Sequence, residues 1–526
     1  MNKVYVLDCT LRDGGYCNEW QFGFENARKI TAGLTEANVD IIECGFITNK
    51  VQYNPDVTKF TTLEEVAKII PENHDGKIFV AMMNYGEYDV DDLPVYDGSS
   101  IDGIRVAYHK KNRYEALELC KRIKAKGYLV FIQAMVSLSY SDEEFLEMIH
   151  LVNKLEPYSF YIVDSFGMMK GKDLTRLFYV VEHNLKDKIW IGFHSHNNLQ
   201  LAYSNAQRLI TVQTSRNLII DSSIMGMGRG AGNLNTELFV EYLNENDGKN
   251  YDIKPLLTIV DKILTGFYER NYWGYSLPNY ISASHNAHPN YAGYLDAKKT
   301  LTFEDMNNIF DMMDEDKKVS YDKAYIEDLY LKYQEKDRVQ EAHISKFTER
   351  VHGKTALIIA PGQSSVAERD KIETCAKRDD VITFSINYDY DESLTDFIFL
   401  SNLRRYRDLP VGKKCKSIVT SNIPAVDVYL QVRYKDLLNQ TEAVKDNAGL
   451  MLIKFLATQG VKKVFVAGMD GYSPNPDENY ADQKMNFFTE KEMAEKKNAG
   501  MIAVLKEYQQ LIDIEMLTTP KYVILD

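Results

Sequence analysis

Cysteine is scarce in this sequence. Cys9, Cys17, Cys44, Cys120, Cys375 and Cys415 are the six in 526 residues, with no CxxC pair and no dense spacing. That excludes a disulfide framework and leaves reduced thiols in a cytoplasmic enzyme as the expectation. Long apolar runs are missing too. None approaches the roughly 18–20 residues that span a bilayer, so no membrane association is expected. The first residues run straight into the strand-like Val4-Tyr-Val-Leu-Asp8, with no basic stretch followed by an apolar one, as a signal peptide requires. Positive charge is in deficit: 62 Lys and Arg against 76 Asp and Glu give a formal charge of −14. This excludes a nucleic-acid surface and a polybasic membrane patch. It leaves room for an anionic substrate, because a metal and a few arginines can set the field inside an acidic protein. There is no internal repeat and no low-complexity tract.

What is present is an ordinary globular composition, 45% hydrophobic and 26% charged, on a chain too long for one core. Short apolar, β-rich runs alternate with amphipathic stretches through the first 225 residues. The runs are Val4–Cys9, Asp40–Gly45, Ile78–Met83, Gly103–Ala107, Tyr128–Met135, Phe160–Asp164, Trp190–His196 and Leu218–Ser223. Between them, Phe24–Asn38, Tyr114–Lys126, Ser141–Leu155 and Gly171–Asn184 have helical period. Eight such units predict a parallel (β/α)8 barrel, although pattern alone also allows a doubly wound open sheet. From about Ala297 to Gly353 strand signals vanish and charged helical segments follow (Thr302–Met313, Asp322–Lys336, Asp337–Arg350). A second α/β module starts near Lys354. Its strands are expected at Ala356–Ala360, Val381–Ser385, Asp396–Leu400, Ser417–Thr420 and Lys463–Ala467, with a sixth at Tyr522–Leu525. The predicted organisation is therefore a barrel over 1–295, a helical extension over 296–352 and a Rossmann-like domain over 353–526.

Barrels carry their chemistry at the C-terminal strand ends. Strand one ends in Thr10-Leu-Arg-Asp-Gly-Gly-Tyr16 and strand seven in His194-Ser-His196. Two residues apart on a strand, both imidazoles face one side. With Asp13 they offer two nitrogens and one oxygen to a divalent ion, leaving positions for substrate and water. Arg12 adds a fixed positive charge suited to a developing enolate oxygen.

Six motifs in chain order carry a resemblance. They are Leu7-Asp-x-Thr-Leu-Arg-Asp-Gly-Gly, Ile42-Glu-x-Gly, Ile104-Arg-Val-Ala-x-His, Val163-Asp-Ser-x-Gly, His194-x-His-Asn-Asn-Leu and Gly228-x-Gly-Ala-Gly-Asn-x-x-Thr-Glu237. Together they resemble the aldolase/metallolyase barrel superfamily, which includes 4-hydroxy-2-oxovalerate aldolase, hydroxymethylglutaryl-CoA lyase and isopropylmalate synthase. The wording of strands four and seven is most similar to the oxovalerate aldolases. The resemblance implies a metal held by Asp13, His194 and His196, completed in some branches by the asparagine that is Asn233 here. Manganese, magnesium, cobalt or zinc would serve. It implies that Arg12 polarises the keto or enolate oxygen. Where those aldolases place a basic histidine, this chain has Tyr16, a poor base near its ordinary pKa of about 10. The base then falls to Tyr16 itself, His109, His285 or His288, and Tyr291 stands roughly where the aldolases have a functional tyrosine. Arg105, Glu43, Asp164 and Ser165 are the substrate-side candidates, with Glu43 and Asp164 equally suited to ordering the metal ligands.

In the second module, Ala356-Leu-Ile-Ile-Ala-Pro-Gly-Gln-Ser-Ser365 reads as a strand, a glycine turn and a helix start at Val366–Lys371. Free N–H groups there would suit a phosphate, or Ser would simply cap the helix. Gly362, Ser364, Ser365, Asn387 and Asp470 are the candidate ligand residues. The module loosely resembles Rossmann-like units of surface-polysaccharide enzymes, which implies a nucleotide-sugar or phosphate ligand. The expected protein is a homo-oligomeric lyase acting on a 2-oxo acid and an aldehyde, conceivably a sugar aldehyde. A Claisen-type acyl-CoA synthase and a non-catalytic binding protein are the alternatives.

Overall fold

The computed structural model describes residues 3–74, 76–298, 300–334, 341–425, 427–486 and 488–525. The chain forms two compact units, Met1–Gly293 with Met313–Tyr321, and Tyr294–Met312 with Asp322–Asp526.

In the first unit eight parallel strands close a barrel. They are β1 (Val4–Asp8), β2 (Ile41–Ile47), β3 (Ile78–Asn84), β4 (Gly103–Tyr108), β5 (Leu129–Ala134), β6 (Ser159–Asp164), β7 (Trp190–Ser195) and β8 (Leu218–Ser222). Each pairs with its sequence neighbour, β8 returns to β1 with Val4 opposite Leu218, and β1 meets β2 with Leu7 opposite Ile41. Closure excludes the open-sheet alternative. These strands are buried on both faces, which is why they read as nearly unbroken apolar runs. One parity faces the surrounding helices: Val4, Val6, Ile104, Val106, Ile191 and Phe193 join the large outer core. The other parity fills the barrel with Leu7, Ile41, Val80, Phe131, Tyr161 and Ile219. Gly192 has its place because a Cβ there would lie 2.3 Å from the Tyr161 ring.

The helices follow the predicted period. Phe24–Glu36, Arg113–Ala125, Asp142–Leu155 and Gly171–Asn184 bury their apolar stripes on the strands. Ser141 and Glu144 form a reciprocal capping box at the start of the third.

The second unit has seven parallel strands, where the sequence suggested five or six. They are β9 (Thr355–Ile359), β10 (Val381–Ile386), β11 (Phe397–Leu400), β12 (Ser417–Thr420), β13 (Leu430–Val432), β14 (Lys463–Ala467) and β15 (Asp513–Met516). Their order in the sheet is β13-β12-β11-β10-β9-β14-β15. Two of these strands were not expected. β13 has only three residues, and β15 alternates charged and apolar positions at the sheet edge. The strand expected at Tyr522–Leu525 does not form; Tyr522 instead donates its N–H to the carbonyl of Asp470, outside any ladder. The predicted helical segments appear as Phe303–Asp311, Lys323–Gln334 and Glu341–Val351, and residues 335–340 of that expectation lie outside the described residues. No helix among the described residues is long and apolar enough to cross a membrane.

Candidate metal centre at the barrel mouth

After β1 the chain turns at once into a short helix, Thr10–Asp13, whose Arg12 and Asp13 N–H groups bond to the carbonyl of Cys9. The turn survives only with Gly15, because the Trp20 indole lies where a Cβ would be, 2.0 Å from Cδ1. Trp20 in turn donates to the carbonyl of Arg12 at 2.7 Å. This fixes Arg12 and Asp13 at the mouth, both buried.

From β7, His194 and His196 enter the same space. One ligand atom from each of Asp13, His194 and His196 lies within 4.8 Å of the others. The glycine-rich loop supplies Asn233, whose Nδ2 donates to Asp13 Oδ2 at 2.6 Å. Gly228 allows that approach, since a Cβ would stand 2.4 Å from the Asn233 amide and 2.9 Å from the carboxylate.

Behind these ligands runs an unbroken chain of buried charge. Asp13 pairs with Arg12, and Arg12 Nε donates to Glu43 Oε2 at 2.9 Å. Arg105 donates to the same Glu43 oxygen at 2.8 Å and pairs with Asp221. Asp221 Oδ2 accepts from His194 Nδ1 at 2.9 Å. With Nδ1 as the donor, the Nε2 lone pair of His194 is left to face a ligand. Burial pulls Asp13 upward, but Arg12, then His196 and His194, outweigh it and hold the carboxylate well below its usual range. Burial outweighs Asp13 at His196, lowering its pKa to about 3, so this imidazole is neutral at physiological pH.

The donor set fits a divalent cation. Two buried polar atoms, His196 Nδ1 and Asn233 Oδ1, have no hydrogen-bond partner, and buried atoms of this kind are normally satisfied. Three carboxylates (Asp13, Glu43, Asp221) face two guanidiniums (Arg12, Arg105), an excess of one carboxylate in the buried cluster. A cation held by Asp13, His194 and His196 would compensate it.

Other expected residues sit differently. Arg105 is fully buried inside the barrel under the Tyr161 ring, 5.0 Å away, with its guanidinium taken by Glu43 and Asp221. It is placed to hold the ligands rather than to meet a substrate. Asp164 orders the loop after β6 by accepting from Met168 and Met169 N–H, each at 3.0 Å. Burial nevertheless raises its pKa to about 7 against those bonds. Ser165 Oγ accepts from Val136 N–H. Tyr291 is buried and donates its hydroxyl to the carbonyls of Lys317 and Ser320 at 2.8 and 2.7 Å. His285 caps the helix Leu277–Ser284. His109 and His288 do face the mouth region, where the charge of Arg229 bears on both of them, on His196 and on Tyr16.

Asp221 and Arg229 were missed. Asp221 is an acid directly after the apolar run Leu218–Ile220, at barrel-facing parity, and that mismatch is the signal in the sequence. Arg229 lies in the same glycine-rich motif as Asn233.

Residues 3–262 match the HMGL-like family. The 4-hydroxy-2-oxovalerate aldolase of Geobacillus genomosp. 3 is 30% identical over 246 residues, 46% of this chain and 70% of that protein. The same-named protein of Shewanella halifaxensis (strain HAW-EB4) is 29% identical over 262 residues, 48% of this chain and 74% of that protein. Among solved structures, the HMG-CoA lyase of Brucella melitensis is 17% identical, covering 51% of this chain and 99% of that one with a TM-score of 0.40. Through its first 262 residues the chain belongs to the HMGL-like family of aldolases and lyases.

Proposed function

We propose that the barrel is a divalent-metal-dependent lyase that cleaves or forms the C3–C4 bond of a 4-hydroxy-2-oxo acid through the enolate of pyruvate. The observation that carries this reading is the buried Asp13–His194–His196 cluster with the Arg12 guanidinium bonded to its carboxylate. The relatives' name, 4-hydroxy-2-oxovalerate aldolase, describes the same chemistry. Asp13, His194 and His196, with Asn233 beside them, would hold the ion, and manganese, magnesium, cobalt or zinc suits these donors. When bound, it supplies Lewis acidity toward the keto and carboxylate oxygens.

Arg12 keeps its charge at any working pH. Burial opposes that charge, but Glu43 and Asp13 overcome it and raise its pKa further. It is therefore a fixed, preorganised partner for the enolate oxygen. His109 is the proposed proton acceptor. Tyr16 stays a phenol: although its side chain is exposed, partial desolvation by the surrounding mouth raises its pKa more than Arg229 lowers it. His288 Nδ1 accepts the Asn290 N–H at 3.2 Å, so in the neutral ring Nε2 carries the proton and donates. Burial, then Lys111 and Arg229, lower the pKa of His109 and keep it a neutral imidazole. His109 takes the C4-hydroxyl proton, C3–C4 breaks, the aldehyde leaves, the electron pair becomes the enolate, and the protonated His109 returns that proton to C3 to give pyruvate.

Pyruvate release from a panel of 4-hydroxy-2-oxo acids by metal-loaded protein tests the class. Thiol release from acyl-CoA without pyruvate would move the barrel to Claisen chemistry, and neither product would make it a binding protein. For the base, His109→Asn is expected to lower kcat by about 10²–10⁴-fold. Wild-type kcat/KM should fall on an acidic limb that lies below the ordinary imidazole value of about 6.5, and the variant should lose that limb. His288→Gln should cost less, and a larger loss there transfers the role.

A further inference from the structure

At the C-terminal edge of the second sheet, successive strands run from β9 outward through β10 to β13 in one direction, while β14 and β15 lie on the other side of β9. The crevice outside such a reversal is where open α/β sheets hold ligands. Here it is a cavity of about 400 Å³. Its floor is made by the ends of β9 and β14. Gly362 N–H bonds to the carbonyl of Gly468 at 2.9 Å, and a Cβ on Gly362 would lie 2.3 Å from that oxygen.

The Gly362–Ser365 turn is not the anion site that its sequence suggested. Ser364 N–H donates to Asp470 Oδ2 at 2.7 Å and its hydroxyl to the other oxygen. The N–H groups of Ser365, Val366 and Ala367 bond to Gly362 and Gln363 carbonyls. The helix that begins there, Ser364–Ala367, has only four residues. Every donor expected to hold a phosphate is already used, and Asp470 is a brace for the turn.

Positive charge comes instead from the cavity walls. Arg404 and Arg405 project from the helix Leu403–Asp408, Lys484 from the loop after β14, and Lys497 from the helix Lys491–Tyr508. Among the described residues Arg404, Arg405 and Lys484 have no ion-pair partner, while their neighbour Arg407 pairs with Glu304. Arg405 is oriented by a bond to the carbonyl of Met485 at 3.2 Å. The start of an eleven-residue helix, Ala448–Thr458, also opens on the cavity through Ala448 and Gly449, adding its positive end to the same space. The same walls carry three carboxylates: Asp470 is taken by Ser364, Asp446 accepts from the hydroxyls of Tyr330 and Tyr434, and Asp408 is set against the cations, which stay in excess although the chain carries −14. Adjacent guanidinium forks suit phosphate oxygens in pairs. Beyond the cations the walls turn apolar and amide-bearing, with Ile386, Met469, Met501, Asn387 and Asn486, whose buried Oδ1 has no partner. A phosphate group alone would leave most of this volume empty, whereas about 300–1,000 Å³ is the usual space for a drug-sized ligand.

We infer that the second unit binds a nucleoside diphosphate, free or as the diphosphate part of a nucleotide-sugar, with Arg404, Arg405 and Lys484 on the phosphates. Calorimetry on the full-length protein, with a chelator present to silence the barrel's metal site, would test ADP, GDP, UDP, UDP-glucose, inorganic phosphate and pyrophosphate. At least one nucleoside diphosphate should bind tighter than about 100 µM, near −5.5 kcal/mol. Arg404→Gln with Arg405→Gln should weaken it about 100-fold and Lys484→Ala about tenfold. Lys484 is exposed, so its substitution keeps the test valid if the arginine pair unfolds. Lys188→Ala, a surface change on the barrel, should leave affinity unchanged. UDP-glucose binding more tightly than UDP identifies the nucleotide-sugar source, and the reverse identifies the free nucleotide. No binding up to about 1 mM, affinity indifferent to all three cations, or pyrophosphate binding as tightly as any nucleotide would each overturn the proposal.

Discussion

Replacing His196 by asparagine is expected to leave a folded barrel that holds under about a tenth of the wild-type metal and loses about 10³-fold in kcat/KM. The magnitude follows from the Lewis acid, which is worth several kcal/mol, each 1.36 kcal/mol being tenfold. His196 separates metal binding from folding better than either other ligand. It stands outside the buried charge chain, with Nδ1 unpartnered and 3.7 Å from Asp13. In chelator the variant should therefore melt with an ordinary penalty of about 1 kcal/mol. His194→Ala should lose metal and activity equally but melt lower, because it strips the donor from buried Asp221, a further cost of about 1–3 kcal/mol. Chelator should lower the wild-type melting temperature and leave both variants unmoved, since only a protein that binds the ion is stabilised by it. Elemental analysis decides: stoichiometric metal in His196→Asn would place the ion elsewhere and remove the support for the proposed lyase.

The meeting of Asp13, His194 and His196 was legible because it depends on local rules. A two-residue spacing on a strand places His194 and His196 on one face whatever the rest of the chain does, and Asp13 follows its strand directly. Eight alternating units implied the barrel for the same reason. Charge pairing across the barrel is not local. Arg105 read as a strand-end residue for substrate, yet its partners Glu43 and Asp221 are 62 and 116 positions away. No spacing rule reports which carboxylate consumes a guanidinium. Tyr291 shows a second limit: its position along the chain matched a functional tyrosine, but the direction of its hydroxyl is set by the Lys317–Ser320 turn. In the second unit, Gly362-Gln-Ser-Ser365 has the composition of a phosphate turn, and only the folded chain shows Asp470 occupying its donors.

Arg105→Met is expected to destabilise the barrel by about 3–5 kcal/mol at neutral pH, the cost of leaving a buried charge without its partner. The methionine fills much of the same space, so packing is a small part of the loss. What remains is Asp221 and one side of Glu43, both buried, facing a methyl group. The pH dependence distinguishes this from a cavity. In the wild type, burial raises the Asp221 pKa but Arg105 and then His194 outweigh it, so the folded value is depressed. Its contribution is therefore present above the unfolded value of about 3.9 and is lost as pH falls through the lower folded one. Without Arg105, burial dominates and the folded pKa rises above the unfolded value. Stability then falls as pH rises through that window, and the deficit is full at neutral pH and shrinks toward pH 4. Chemical denaturation from pH 4 to 8, in chelator, would show the two curves converging at the acid end. Arg105→Lys should recover only part of the loss, because one ammonium does not fork to two carboxylates. The double variant Arg105→Met with Asp221→Asn should be more stable than Arg105→Met alone. A deficit under about 1 kcal/mol that stays flat with pH would mean that Glu43 and Asp221 are satisfied without Arg105. Since Asp221 holds the His194 imidazole, the same substitution should weaken metal binding by about 10–100-fold, as loss of an orienting partner does. Arg105 would then act on the chemistry from inside the barrel, without touching a substrate.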